Sequence, residues 1–151
     1  MRTSLSTGCL VAFSICLSAS ASPLASPRTI LNEAKSLRCE MNSGTFNTWR
    51  EGRLFTKPDR YSEPIVFDSI DFRSGSARLV TKDGATEVTA RRGGPGLTFV
   101  EETLVGNLSI TTVFAHRIES GTKFAATNSR HIMGLDAPMV SQFYGACEVN
   151  R

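Results

Sequence analysis

Four cysteines, two histidines and a scatter of serines and carboxylates are the residues of this chain that could do chemistry. Cys39 and Cys147 remain near opposite ends of the chain once its first segment is set aside, whereas Cys9 and Cys16 fall within that segment. In an oxidising compartment two lone cysteines of a small domain most simply pair with each other. The ring they close spans roughly 110 residues, and chain entropy puts such a crosslink at about 4–5 kcal/mol. Net stabilities are only about 5–15 kcal/mol, so that is a large share. A redox-active or metal-binding pair is the alternative. It would need a CxxC or a histidine at ligand spacing from Cys39 or Cys147, and the chain has neither.

Histidine is the usual general base near neutral pH. His116 shares strand parity with Ile110, Phe114 and Ile118, so it is expected to point into a core or a barrel lumen. His131, in Ser129-Arg130-His131, is expected at a strand end or in a loop. A hydrolase needs a nucleophile, a base and an orienting acid. Ser129 or Ser141 with His131 and Asp136 supply the residue types, yet no GxSxG frames them and their order fits no triad. Asp68 and Asp71 differ by an odd number, and Glu101 and Glu102 are adjacent, so neither carboxylate pair converges on one face of a regular strand. Arg91-Arg92-Gly93-Gly94-Pro95-Gly96 lacks the Lys-Ser/Thr ending of a phosphate cradle and reads as a basic hairpin tip. Asn107-Leu108-Ser109 matches a glycosylation acceptor, which has meaning only in a eukaryotic secretory pathway.

The elements that must position these residues are written in turn signals. From Pro64 onward, Ser74-Gly75, Asp83-Gly84, Gly93 to Gly96, Gly106-Asn107 and Ser120-Gly121 separate short strand-like runs at intervals near the 8 to 12 residues of an all-β sandwich or barrel. Such short connections force neighbouring strands to be antiparallel. Leu108 to Ile118 is the clearest strand, with Leu108, Ile110, Phe114 and Ile118 expected to face the core. In Ile65 to Phe72 the apolar parity changes between Phe67 and Ile70, which predicts a bulge. Met139 to Val149 reads as the last strand and carries Cys147. Ahead of the meander, Thr29 to Arg38 fits a short amphipathic helix or a turn leading into a strand. Phe46, Trp49, Leu54 and Phe55 follow, broken by Gly44, Gly52 and Pro58, with Trp49 expected in a core or at the plugged end of a barrel.

Met1-Arg2, the apolar run Gly8 to Leu17 and Ala19-Ser20-Ala21 fit a secretory signal cleaved after Ala21. The run is far short of the roughly 20 residues of a membrane-spanning helix, and Cys16 follows Ile15 where a lipoprotein signal would have a small residue. The expected organisation is a signal at 1–21, a linker or short helix at 22–35 and one β domain at 36–151. Seventeen basic residues against 14 acidic ones give a net charge of +3, one unit lower without Arg2, with no block of like charge. That is no footprint for nucleic acid, and it does not favour a membrane surface. The densest basic stretch, Arg50, Arg53, Lys57 and Arg60, is interrupted by Glu51 and Asp59.

Ser141-Gln142-Phe143-Tyr144-Gly145-Ala146-Cys147, with Thr111-Thr112-Val113-Phe114, Ser129-Arg130-His131 and Phe67-Asp68-Ser69-Ile70-Asp71, resembles a group of small exported bacterial proteins that end in SQxYGxC. The resemblance extends over most of the chain after the signal, with Cys39 at the early cysteine. It implies a periplasmic or secreted location and a Cys39–Cys147 pair, and it carries over no catalytic role. A looser likeness to lipocalins rests on the meander and an early tryptophan, although Gly44 and Trp49 stand farther apart than a GxW allows.

The fold expected is all-β: an antiparallel meander of about eight strands forming a small barrel or a curved sheet. The function expected is a non-enzymatic module without cofactor or metal. It holds a small apolar ligand in a barrel mouth lined by His116, Trp49 and Phe114. The alternative is an envelope protein that contacts another protein through the Ser129 to Met139 loop or an edge strand; an unrecognised hydrolase is third. A filled interior beside exposed apolar residues favours the partner reading, and an open pocket favours the ligand.

Overall fold

The computed structural model describes residues 25–134 and 136–150. The expected signal segment, with Cys9 and Cys16, lies outside them. All five turn signals are chain reversals, and between them the backbone runs as β1 (Leu37–Arg50), β2 (Arg53–Asp59), β3 (Ile65–Asp71), β4 (Ser76–Thr81), β5 (Gly84–Gly93), β6 (Gly96–Glu102), β7 (Leu108–Ile118), β8 (Lys123–Ile132) and β9 (Met139–Val149). Neighbours are antiparallel throughout. The spatial order is β2-β1-β3-β4-β5-β6-β7-β8-β9, and β1 also pairs with β9. Thus eight strands, β1 and β3 to β9, close into a barrel, and β2 hangs on its outside.

β1 makes this arrangement possible because it is long enough to serve three neighbours. Along one edge it pairs with β9 from Leu37 to Thr48. Along the other, Leu37 to Cys39 pair with β3, and Gly44 to Arg50 pair with β2. A register shift between Met41 and Ser43 changes its inward parity, from Leu37, Cys39 and Met41 to Gly44, Phe46 and Thr48. The expected bulge in β3 is also present: its register shifts between Asp68 and Asp71, Ser69 adopts φ 49°, and Phe67 and Ile70 are both buried.

The lumen is filled with aromatic side chains. Phe67 stacks on Phe99 at 4.0 Å between ring centroids, and Phe124 and Phe143 are buried in the same cluster. The end where β1 begins is closed by α1 (Pro27–Glu33), so the segment read as helix or turn is a helix followed directly by a strand. Ser26 caps it, its Oγ accepting from the Thr29 amide at 3.2 Å, and Pro27 sits in the first turn, where no amide is needed. Leu31 and Ala34 are buried against the core as the helix packs on β6 and β7. The Arg92 guanidinium donates to the Asn32 carbonyl and lies over Phe72 at 4.3 Å, while Arg91 donates to the Gly75 carbonyl. These hairpin arginines hold the plug and the neighbouring turn in place.

Two expectations about which way side chains face are corrected. β7 has the predicted bounds, but Thr111 and Val113 are its buried residues, and Ala115 packs against the core beside them. Phe114 and His116 belong to the opposite parity, and His116 is exposed. A lumen already holding four phenylalanine rings has room only for small or β-branched residues from β7. Trp49 is not in a core: it is 54% exposed, because Phe46 to Phe55 is a hairpin that runs past the barrel wall. Its tip, Glu51-Gly52, takes φ of 50° and 74°, as a two-residue turn with left-handed residues requires. Gly44 and Pro58 lie inside the strands and break nothing.

Cys39 and Cys147 are directly opposed on β1 and β9 and form a disulfide with 3.9 Å between α-carbons, across a sequence separation of 108. The crosslink therefore sits on the seam that closes the barrel. Removing it in a Cys39→Ala/Cys147→Ala variant is expected to cost about 4–5 kcal/mol in urea unfolding of the processed protein; an unchanged midpoint would mean that the seam closes without it. Gly145 is the second requirement of that seam. A Cβ there would collide with the Glu40 carbonyl and stand 2.7 Å from the Met41 α-carbon. Gly145→Ala is accordingly expected to destabilise by at least about 1–3 kcal/mol, with faster amide exchange along β1 and β9 than along β4 and β5.

Candidate functional site

The barrel end opposite α1 gathers the polar and exposed apolar side chains that packing does not explain. Loop 60–64 sends Tyr61 across the mouth, where its ring meets Phe143 edge-on at 5.3 Å and the Arg130 guanidinium lies over it at 5.4 Å. Beneath Tyr61 is a cavity of about 20 Å³ lined by Ile65, Phe67, Leu79, Phe99, Glu101, Ser109, Thr111 and Asn128. Asn128 is 1% exposed. Its Nδ2 donates to Thr111 Oγ1 at 2.9 Å and to Ser109 Oγ at 3.1 Å, and its Oδ1 has no partner among the described residues. A buried amide oxygen without a partner is costly. One water fits the space and has polar partners there; a drug-sized ligand, which needs about 300 Å³ or more, does not.

Around the mouth, the β6–β7 turn exposes Leu104 completely and Val105 to 74%, and the β8–β9 loop exposes Met133 to 72%. The two loops are tied together: the Met133 amide donates to Asn107 Oδ1 at 2.9 Å, and the Met133 side chain lies near Gly106. Further along, Thr48 Oγ1 donates to the Pro138 carbonyl at 3.0 Å and fastens the β8–β9 loop to β1. Phe46, Trp49, Ala137 and Met139 line an open groove of about 330 Å³ between them. On the outward face of the hairpin Trp49 pairs with Leu54, and both are exposed.

The three residues expected to line a ligand pocket do not meet. Trp49 is on the hairpin, Phe114 and His116 are on the outward parity of β7, and none of them lines the lumen cavity. The serines considered for hydrolysis bond elsewhere than to His131 or Asp136. Ser141 faces inward and donates to Asp59 Oδ2 at 3.1 Å, whereas Ser129 bonds Gln142 and, with His131, has outward parity. The bidentate Arg78 guanidinium holds the Asp68 carboxyl below its usual range, and the Arg73 amide and the Ser74 hydroxyl do the same for Asp71. Both carboxylates are therefore ionised at neutral pH. Among the described residues no three His, Cys, Asp or Glu side chains cluster to hold a metal ion, and no helix is long and apolar enough to cross a membrane.

Sequence reasoning missed Tyr61, Asn128 and the loop-tip residues. Asn128 had a usable signal, since it continues the inward series Phe124, Ala126 along β8; an amide in such a series must bond to something. A high-resolution map is expected to show an ordered water donating to Asn128 Oδ1 beneath Tyr61. Asn128→Leu should expel that water and lose about 1–3 kcal/mol as the Thr111 and Ser109 hydroxyls lose their partner; wild-type stability in that variant would show the network to be idle. Compared with family models, curated proteins and solved structures, the chain matches none, so its reading rests on its own residues.

Proposed function

We propose that this is an exported, non-enzymatic binding module that engages another protein of the cell envelope through the loop end of the barrel. One observation carries the reading: the cavity beneath Tyr61 holds only about 20 Å³, while Leu104, Val105 and Met133 stand exposed on two joined loops at one end. Apolar side chains at loop tips add nothing to the packing of their own domain, and patches of this kind mark contact sites. The opposite end is sealed by α1, with Leu31 and Ala34 buried, so the two ends differ in kind. Export is supported by the Met1 to Ala21 pattern and by the disulfide, which persists in oxidising compartments.

The ligand reading loses support for the reason the partner reading gains it. A barrel carrying an apolar ligand inside it keeps a cavity there, and beneath Tyr61 only about 20 Å³ is left beside Phe67 and Phe99; the larger space at this end, about 360 Å³ lined by Tyr61, Pro64, Ile65, Leu79 and Val80, is an open groove at the mouth.

A photo-crosslinking side chain placed at Leu104 or Met133 in exported protein is expected to capture one protein species that the same side chain at Thr86 or Arg73 does not. Leu104→Ser/Val105→Ser should abolish that capture while leaving the unfolding midpoint within about 0.5 kcal/mol of wild type. Saturable, stoichiometric binding of a fatty acid or apolar dye, competed by substitutions at Phe99 but not at Leu104, would overturn the reading in favour of a lumen ligand.

A further inference from the structure

β2 differs from every strand of the ring in having a neighbour on one side only, and among the described residues its far edge pairs with nothing. Which backbone groups that edge presents follows from the turn. In the Glu51-Gly52 reversal the Arg50 carbonyl accepts from the Arg53 amide, and bonding directions alternate along an antiparallel strand. Arg53, Phe55, Lys57 and Asp59 therefore direct their backbone groups at β1, and Leu54, Thr56 and Pro58 direct theirs outward. Pro58 is consistent with this, since its missing amide falls on the side where β1 needs none. The open edge offers the Leu54 and Thr56 amides and the carbonyls of all three residues.

The side chains of this strand are complementary to the same strand reversed. In Arg53-Leu54-Phe55-Thr56-Lys57-Pro58-Asp59, an antiparallel copy centred on Thr56 sets Arg53 against Asp59 of the second copy, Phe55 against its Lys57 and Leu54 against its Pro58. The hairpin already uses such cation–ring contacts internally, with Arg50 over Phe55 at 4.2 Å and Lys57 over Phe46 at 5.1 Å. The neighbouring two-fold register, centred on Phe55, would set Arg53 against Lys57 and is disfavoured by like charge. Leu54 and Trp49 share a face and are both exposed, so the Thr56-centred register lays Pro58 of the second copy on the same apolar face, against Leu54.

We infer that β2 is a self-pairing edge through which two copies of this chain join antiparallel about a two-fold axis at Thr56. The pairing makes four hydrogen bonds: two between the Thr56 residues and two from the Leu54 amides to the Pro58 carbonyls. Pro58 withholds two more, which makes the dimer weak and responsive to concentration. This does not depend on the envelope-partner reading, because Leu104, Val105 and Met133 take no part in it.

The test uses the full processed protein with its disulfide intact. In a hydrogen-bonded antiparallel pair the opposed α-carbons are about 5.5 Å apart, within reach of a disulfide. Thr56→Cys is therefore expected to form a covalent homodimer on mild oxidation, while Thr86→Cys, on the exposed face of β5, does not. In sedimentation, Pro58→Thr restores two donors and is expected to tighten association about tenfold or more. Thr56→Pro removes the outward amide of each copy, along with the exposed hydroxyl bond to Asn47, and should leave a folded monomer. Arg53→Asp should weaken the dimer. The inference is overturned if Thr56→Cys dimerises no faster than Thr86→Cys, if Thr56→Cys traps a different protein, or if wild type and Pro58→Thr both sediment as monomers at millimolar concentration.

Discussion

The seam between β1 and β9 is the constraint on which the remaining structure depends. The six pairs from β3–β4 to β8–β9 join neighbours linked by a few residues, and each forms as its turn forms; β1 and β3 meet across the β2 hairpin. β1 and β9 lie at opposite ends of the domain, and joining them carries the loop-closure entropy of the whole meander. Three features act at that seam. Cys39 and Cys147 are opposed in register and bridged, so a slip by one residue, which would turn Leu37 and Met41 outward, is excluded. Gly145 lets β1 approach until the Glu40 carbonyl occupies the place of a Cβ. The register shift after Met41 then changes parity, so that Phe46 and Thr48 take over the inward positions while the strand continues beyond the wall.

The architecture was legible wherever the chain spells out turns, because a glycine at a reversal with positive φ is a local necessity that tertiary context cannot override. That is why β7 and β9 have the bounds the sequence predicts, and why the parity change between Phe67 and Ile70 is a bulge. Which face is inside was not legible in β7, where both parities carry apolar residues. Leu108, Ile110, Phe114 and Ile118 form the larger set, and by hydrophobicity alone they win. The inner volume decides otherwise: Phe67, Phe99, Phe124 and Phe143 are contributed by other strands, and the space left for β7 suits Thr111, Val113 and Ala115. Such a volume constraint is a property of the closed ring and cannot be read from one strand.

The same reasoning explains why the site was misplaced. Trp49 looks like a core residue because tryptophan usually is one, and nothing local reveals that β1 outruns the barrel. The hairpin was hidden by Gly44 and Pro58, which resemble breaks. Gly44 sits where a Cβ would meet Phe143, and Pro58 sits where an amide would face the free edge. Both fit their strands because of neighbours that only the folded chain supplies. Asn128 is the counterexample, since its parity with Phe124 and Ala126 along β8 is a purely local signal and points it inward.

The two ends of the barrel answer different demands, and the contrast limits what the loop end can be for. At the α1 end, each group with an unmet need finds its partner within the chain: Leu31 is buried, the Asn32 carbonyl accepts from Arg92, the Lys35 carbonyl accepts from the Ile70 amide, and the Ser36 carbonyl accepts from Asn150. At the loop end the polar needs are met in the same way at the Met133 amide, the Thr48 hydroxyl and Ser141, with Asn128 Oδ1 the buried exception. The apolar needs there are not met. Loops held in place by specific hydrogen bonds yet presenting Leu104, Val105 and Met133 outward are ordered exposure, which differs from the exposure of a frayed segment. An apolar side chain left in water gains none of the burial free energy that holds the core together. Among the described residues nothing covers these three side chains, and the proposal of a contact surface at the loop end rests on that ordered exposure.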